Sequence, residues 1–228
     1  MKVAIIPARG SSKRIPRKNV KDFCGKPMIA YSIEAALESK IFDRVIVSTD
    51  DAEIASVARA YGAEVPFMRP LELSDDLTTT IPVIAHAIKE LQKEGAVKVA
   101  CCIYATAPFI QIEYLKEAYL ALLAHKNHYA FAVTSFPFPI QRAIKFTKDD
   151  GIEMFYPEYL NTRSQDLQEA YHDAGQFYFG TAQAWLDEEP IFSKHSAAVT
   201  LPRHLVQDID TPEDFKRAEL MYKALEQT

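Results

Sequence analysis

The sequence predicts an α/β fold: a mostly parallel central sheet with helices on both faces. Three observations predict it. Short apolar runs alternate with helix-period stretches through the first half of the chain. Those runs are continuously apolar rather than alternating, as strands buried on both faces require. The chain, at 228 residues, can bury a full core without disulfide or metal staples.

Lys2–Pro7 (KVAIIP) is the expected first strand, closed by proline. Residues 8–26 follow as a long loop rich in Gly, Ser and basic side chains. Residues 27–38 place Ile29, Ile33, Ala36 and Leu37 on one helical face. Arg44–Ser48 (RVIVS) is a second strand. Asp50 or Asp51 can cap the next helix, which runs to Tyr61, and Gly62 can end it. Residues 64–67 are expected as a third strand. Thr80 can cap a helix with Pro82 in its first turn, running to about Lys93. Residues 97–104 make a strongly apolar fourth strand, and 111–125 are helical. Such a repeat implies right-handed crossovers and a ligand site outside the carboxyl ends of the strands. The loops 8–26, 68–79 and 105–110 should converge there.

The pattern then changes. The stretch 136–140 (FPFPI) cannot be helix interior, and 142–159 alternates like strands around the turn Asp149-Asp150-Gly151. That reads as a hairpin outside the main sheet. Residues 171–180 return as a strand and 197–201 as another. Thr211-Pro212-Glu213-Asp214 starts a final helix with a cap, Pro at its first position and acids in the first turn.

Composition narrows the function classes. Hydrophobic residues at 48% and charged residues at 25% are ordinary for a globular protein and exclude disorder. No apolar run approaches the roughly 20 residues of a membrane span, and residues 1–8 are too short for a signal peptide. Cys24, Cys101 and Cys102 have no metal-ligand spacing and read as thiols in a reducing cytoplasm. The net charge is −5, yet residues 1–26 hold eight basic side chains and one acid. That local +7 leaves −12 on the remaining 202 residues. An acidic body argues against nucleic acid as a partner, while the cationic loop forms either a focused anion site or a solvated basic face.

The loop itself, IPARGSSKRIPRKN, carries the first motif. A Gly-Ser-Ser turn after a strand can aim backbone N–H groups at an anion. Arg9, Lys13, Arg14, Arg17 and Lys18 add charge and Ser12 a hydroxyl. Neither the Walker nor the dinucleotide-binding glycine spacing is present. Asp208-Ile209-Asp210 is the second motif. Two acids at i and i+2 of an extended segment share a side and suit Mg²⁺ held together with substrate phosphates. Equally, Asp210 can be a turn residue before the Thr211 cap, with Asp208 solvated.

With these motifs in view, the sequence closely resembles the CMP-N-acylneuraminate synthetase (acylneuraminate cytidylyltransferase) family. The resemblance rests on PARGSSKRIPRKN followed by DFCGKPMIAYSI, on VIVSTDD (45–51), and on RPLEL (69–73) with Thr78, Thr79 and Thr80. ATAPF (105–109), TRSQDL (162–167) and QDIDTPED (207–214) extend it in collinear order over about residues 3–220. TRSQD and the 130–170 insertion fit this family better than the related Kdo enzymes.

The resemblance implies a Rossmann-like nucleotide-diphospho-sugar transferase fold: one domain over 1–228, with 130–170 as a small β-rich dimerisation and sugar-pocket insertion. It implies transfer of CMP from CTP to a nine-carbon acidic sugar, a homodimer and Mg²⁺ on Asp208 and Asp210. Arg9 and Lys18 would be catalytic, with Lys18 nearest the α-phosphate. Ala8, Gly10, Ser11, Ser12, Asn19, Arg69, Thr79 and Thr80 would bind the nucleotide. The sugar would meet Tyr104, Arg142, Arg163, His172, Asp173, Gln176 and Tyr178. Where sialic acid enzymes carry a Gln before their T-S-P stretch and an Arg-x-Asn-Gly, this chain has Tyr104 and His172-Asp173-Ala174-Gly175. With YHDAGQFY and PIQRAIK, this is similar to the pseudaminic acid branch, whose product feeds surface or flagellin glycosylation. Sialic and legionaminic acid remain alternatives. A catalytically inactive nucleotide-binding regulator is another, opposed by the intact Arg9, Lys18, Asp208 and Asp210. A glycosyltransferase would place its acid pair mid-chain.

Overall fold

A computed structural model of the chain describes residues 1–124 and 128–227. In chain order the elements are β1 (Lys2–Pro7), β2 (Asp22–Phe23), β3 (Lys26–Pro27), α1 (Met28–Ser39), β4 (Arg44–Ser48), α2 (Ala52–Ala60) and α3 (Thr80–Gln92). Then come β5 (Val99–Ile103), α4 (Ile112–Ala124), β6 (Tyr129–Ser135), β7 (Ile144–Phe146), β8 (Ile152–Met154), β9 (Tyr171–Thr181), α5 (Ala182–Leu186), β10 (Ser196–Thr200) and α6 (Pro212–Leu225). The expected end of α4 at His125 lies outside the described residues, as does Thr228.

Six strands form one sheet in the order β10-β6-β9-β5-β1-β4. β1 pairs in parallel with β4 and β5, and β10 with β6. Only β9 runs against its neighbours, β5 and β6. Side-chain alternation divides the core. Ala4 and Ile6 of β1 pack with Ile29 and Ile33 of α1, Ile54 of α2 and Leu115 of α4. Val3 and Ile5 face the other way, onto Ile84 and Ile88 of α3 and Trp185 of α5. Both sheet faces are thereby covered, which is why the strand sequences are continuously apolar. Gly180 of β9 is obligatory in this packing, because a Cβ there would lie 2.4 Å from the Trp185 ring nitrogen.

A third cluster ties the basic loop to the C-terminus. Ile15, Phe23 and Tyr31 pack on Ile209, Phe215 and Ala218. The predicted cap forms, as a capping box: the Thr211 hydroxyl accepts from the Asp214 N–H, and the Asp214 carboxylate accepts from the Thr211 N–H.

Three expectations need correction. Residues 64–67 form no strand; only a single parallel bridge joins Glu64 to Ile46. Thr79, not Thr80, precedes the first turn of α3. Of the two candidate caps of α2, Asp51 takes the role, accepting from the Ile54 N–H at 2.9 Å. The insertion is shorter than 130–170, since 129–135 are the main-sheet strand β6, buried except at its last residue. What projects is 136–170, carrying the separate β7–β8 hairpin.

Candidate active site

Two cavities open at the carboxyl ends of the strands and share Tyr104. The first, of about 280 Å³, is lined by Arg9, Ser12, Lys13, Arg14, Lys18 and Asn19 of the basic loop. Arg69, Thr78, Thr79, Thr80 and Asp210 complete its walls. The second, of about 630 Å³, is lined by Thr134, Ser135, His172, Asp173, Gly175, Arg203, Asp208 and Arg217, among others. The acid pair is thus divided, Asp208 on one cavity and Asp210 on the other.

Four cations of the first cavity are held by acids. Arg9 donates to the Asp75 carbonyl at 2.5 Å and pairs with Asp76 at 2.9 Å. Lys13 also pairs with Asp76. Arg14 lies 2.9 Å from Asp210 Oδ1, and Lys18 Nζ lies 3.4 Å from the same atom. Loop 68–79 and the acid segment therefore both reach the basic loop. Asn19, buried, fixes that loop by donating to the Arg9 carbonyl at 2.9 Å. Arg69 is buried with its Nε donating to Ser74 at 3.1 Å, while its Nη2, without a hydrogen-bond partner, pairs with Asp50 at 3.7 Å. Burial lowers its pKa from the usual arginine value, partly offset by the nearby Asp50. Its place on the cavity wall puts a buried positive charge beside the ligand space.

The remaining loop residues serve the scaffold. Arg17 turns away from the cavity and grips Asp51 and Glu53; its hydrogen bond holds the Asp51 carboxyl down to about 2. The Gly10 N–H donates to Asp50 at 3.0 Å, so it is spent within the protein. A Cβ on Gly10 would come within 2.8 Å of Asp51 Oδ2, so glycine is needed for this approach. Ala8 is buried, its N–H donating to Ser48. Ala8, Gly10 and Ser11 do not line the cavity.

In the second cavity, Tyr104 donates or accepts at 3.0 Å with Thr80, and burial pushes its phenol up to about 12. His172 Nδ1 lies 2.8 Å from the Asp173 carbonyl, which can only accept. The tautomer with its proton on Nδ1 satisfies this contact and leaves Nε2 as an acceptor. Asp173 is oriented by the Gly175 N–H at 2.9 Å and by the Tyr178 hydroxyl. Burial, first, and the neighbouring tyrosine and aspartate keep Tyr178 protonated by raising its pKa. Tyr178 and Gln176 do not line the cavity: Gln176 is buried and donates to the Leu205 carbonyl. Arg142 and Arg163 line neither cavity. They sit on the projecting arm, where Arg142 donates to the Thr162 carbonyl and Arg163 pairs with Asp166 at 2.7 Å. Arg203 and Arg217, which the sequence reading passed over, line the second cavity instead.

Asp208 is exposed at the rim, yet desolvation in the cleft, then the charge of Asp210, push its carboxyl above the usual range. Repulsion of this kind is relieved by a cation between the two. Both donors are hard oxygens, and among the described residues no group of three or more His, Cys, Asp or Glu side chains is placed to hold a metal. A two-carboxylate set fits Mg²⁺ completed by phosphate and water oxygens.

Comparison with known proteins places this geometry. The family described as cytidylyltransferase matches residues 3–227. The chain is 50% identical to a pseudaminic acid cytidylyltransferase of Campylobacter jejuni serotype O:2, over 97% of this chain and 96% of that protein. It is 31% identical to a CMP-N,N'-diacetyllegionaminic acid synthase of Legionella pneumophila, covering 95% and 94%. The solved CMP:2-keto-3-deoxy-manno-octonic acid synthetase complexed with CTP superposes with a TM-score of 0.70 at 16% identity, covering 98% of both chains. That last likeness is one of fold.

Proposed function

This chain belongs to the cytidylyltransferase family, and on that premise we propose that its two cavities hold the two substrates of one transfer: CTP in the basic cavity and pseudaminic acid in the other. The products are CMP-pseudaminic acid and pyrophosphate. Half-identity to a pseudaminic acid enzyme over nearly the whole of both chains supports the substrate. The observation that carries the reading is the meeting of the cavities at Tyr104, with Asp208 and Asp210 lining one each.

The anomeric hydroxyl oxygen attacks the α-phosphorus of CTP. The new P–O bond forms as the bond to the bridging oxygen breaks; that electron pair leaves with pyrophosphate, and the hydroxyl proton passes to solvent. Positioning and charge neutralisation dominate such a reaction. Arg9, Lys13 and Arg14 exchange their acid partners for the triphosphate, and Lys18, beside Asp210, serves the α-phosphate. Ser12 supports the phosphates. Arg69 faces the cytidine, with Thr79 and Thr80 at the start of α3. Asp208 and Asp210 would hold Mg²⁺, which neutralises charge on the phosphates when bound.

On the sugar side, the Tyr104 ring supplies apolar area for a methyl or acetamido group with one polar tip. His172 Nε2, as acceptor, suits an amide N–H of the sugar's acylamino groups. The projecting arm mediates a homodimer in this reading: Phe138 and Phe146 on it are 79% and 84% exposed, and Arg142 and Arg163 find their use in the partner's site. We place the protein in the cytoplasm, where CTP is supplied; no described helix is long and apolar enough to cross a membrane. A panel of nonulosonic acids, each incubated with CTP and Mg²⁺ and read by mass spectrometry, tests the function. CMP-pseudaminic acid is the expected product; no CMP-sugar with any member would overturn the reading.

A further inference from the structure

The sugar acid carries its carboxylate directly on the anomeric carbon, and that charge needs a cationic partner close to the reacting hydroxyl. The arginines expected from the sequence to meet it, Arg142 and Arg163, lie on the arm and line neither cavity. The second cavity has two other guanidinium groups on its wall. Arg203 sits in the single turn Arg203–Leu205 after β10, and Arg217 on the second turn of α6. Both line the cavity that also holds Asp208, His172 and Thr134. Among the described residues, no other Lys or Arg lines it.

Their state differs from that of the cations in the first cavity. Arg9, Lys13, Arg14 and Lys18 each have a carboxylate within 4.0 Å. Among the described residues, neither Arg203 nor Arg217 has an ion pair; Arg217 only lowers the Asp214 carboxyl's pKa as a minor cause, behind the Thr211 hydrogen bonds. A guanidinium presents a planar fork of donors matched to a carboxylate. Asp208 lines the same wall, so an anion seated there stands beside the acid segment.

We propose that Arg203 and Arg217 form the carboxylate clamp of the sugar cavity. The clamp rests on the function proposed above. It fixes the anomeric carbon through its nearest charged substituent and aims the hydroxyl toward the nucleotide cavity. Selection for acidic sugars over neutral ones is its consequence.

Arg203→Met, Arg217→Met and the double variant test it, with pseudaminic acid and its C1 carboxamide as substrates. The clamp predicts that the double variant raises KM for pseudaminic acid at least about tenfold, as loss of charge-assisted hydrogen bonds does, while KM for CTP stays within about twofold. Wild-type protein should prefer the acid to the carboxamide, and the double variant should lose that preference. Arg217→Lys should recover part of the loss, since charge returns without the fork. CTP binding by calorimetry confirms that each variant is folded. An unchanged KM for the acid, or an undiminished preference over the carboxamide, overturns the clamp. Failure of the wild-type protein to use any nonulosonic acid would instead overturn the function it rests on.

Discussion

Lys18 and Asp210, 192 residues apart in sequence, meet across the cleft. The Lys18 ammonium donates to the Ile209 carbonyl at 2.6 Å and stands 3.4 Å from Asp210 Oδ1. One side chain thus joins the loop after β1 to the acid segment before α6, and the packing of Ile15 and Phe23 on Ile209 and Phe215 holds that junction. Removal of Lys18 should act on catalysis rather than folding. Lys18→Ala is expected to lower kcat by about tenfold to a thousandfold, the range for a lost transition-state donor, with its melting temperature near wild type. Wild-type turnover in the folded variant would refute the assignment.

Asp210→Asn keeps the shape of the side chain and removes its charge. Activity should fall and recover in part at high Mg²⁺ or with Mn²⁺, because a weakened site fills again at higher metal concentration. A Mg²⁺ titration of initial rates checks this. Full activity at sub-millimolar Mg²⁺ would make the pair structural.

Asp76 bridges Arg9 and Lys13, where the triphosphate is proposed to bind. Asp76→Asn should release both cations and tighten inhibition by pyrophosphate about two- to fivefold, the scale of an exposed ion pair. Equal inhibition constants for variant and wild type would show that the bridge does not compete with phosphate.

The sequence made the frame legible and left the pairings hidden. β1, β4 and β5 are short β-rich apolar runs, and Thr211-Pro212-Glu213-Asp214 spells its own cap, so local chemistry determines them. The direction of β9 is a long-range property: after the arm the chain returns between β5 and β6, and nothing in YHDAGQFYFGT marks it as reversed. Residues 64–67 look like a strand but gain only one bridge. In the site, the basic loop announced an anion, yet which cations face it depends on acids far away. Arg17 was drawn off by Asp51 and Glu53, 34 and 36 positions on. Arg203 and Arg217 flank the Asp208–Asp210 motif at short range, and that proximity was the available signal.

The Arg17–Asp51 pair gives a pH dependence with a definite sign. The Asp51 pKa is depressed to about 2, the Arg17 hydrogen bond being the largest cause. A depressed carboxylate contributes stability that is present above its unfolded value of about 3.9 and is lost as pH falls through the folded value. Wild type should therefore melt above Arg17→Met at pH 6, with the gap closing between about pH 4 and pH 2. A gap independent of pH would contradict the role given to the pair.

Light scattering tests the arm. At micromolar concentration the particle should have twice the 25.7 kDa mass of the chain. Replacing Phe138 and Phe146 with Ser should shift it toward monomer. A clean monomer of the unaltered protein would contradict the homodimer.

In the proposed function, the cavity around Tyr104, His172 and Asp173 accepts pseudaminic acid as the partner of CTP. Its most direct test is kcat/KM, measured with CTP and Mg²⁺, for pseudaminic acid against N-acetylneuraminic acid. A preference for pseudaminic acid that approaches about 10⁴-fold is predicted, the scale reached when buried polar groups go unmatched in the wrong ligand. Equal values, or a preference for N-acetylneuraminic acid, would contradict it.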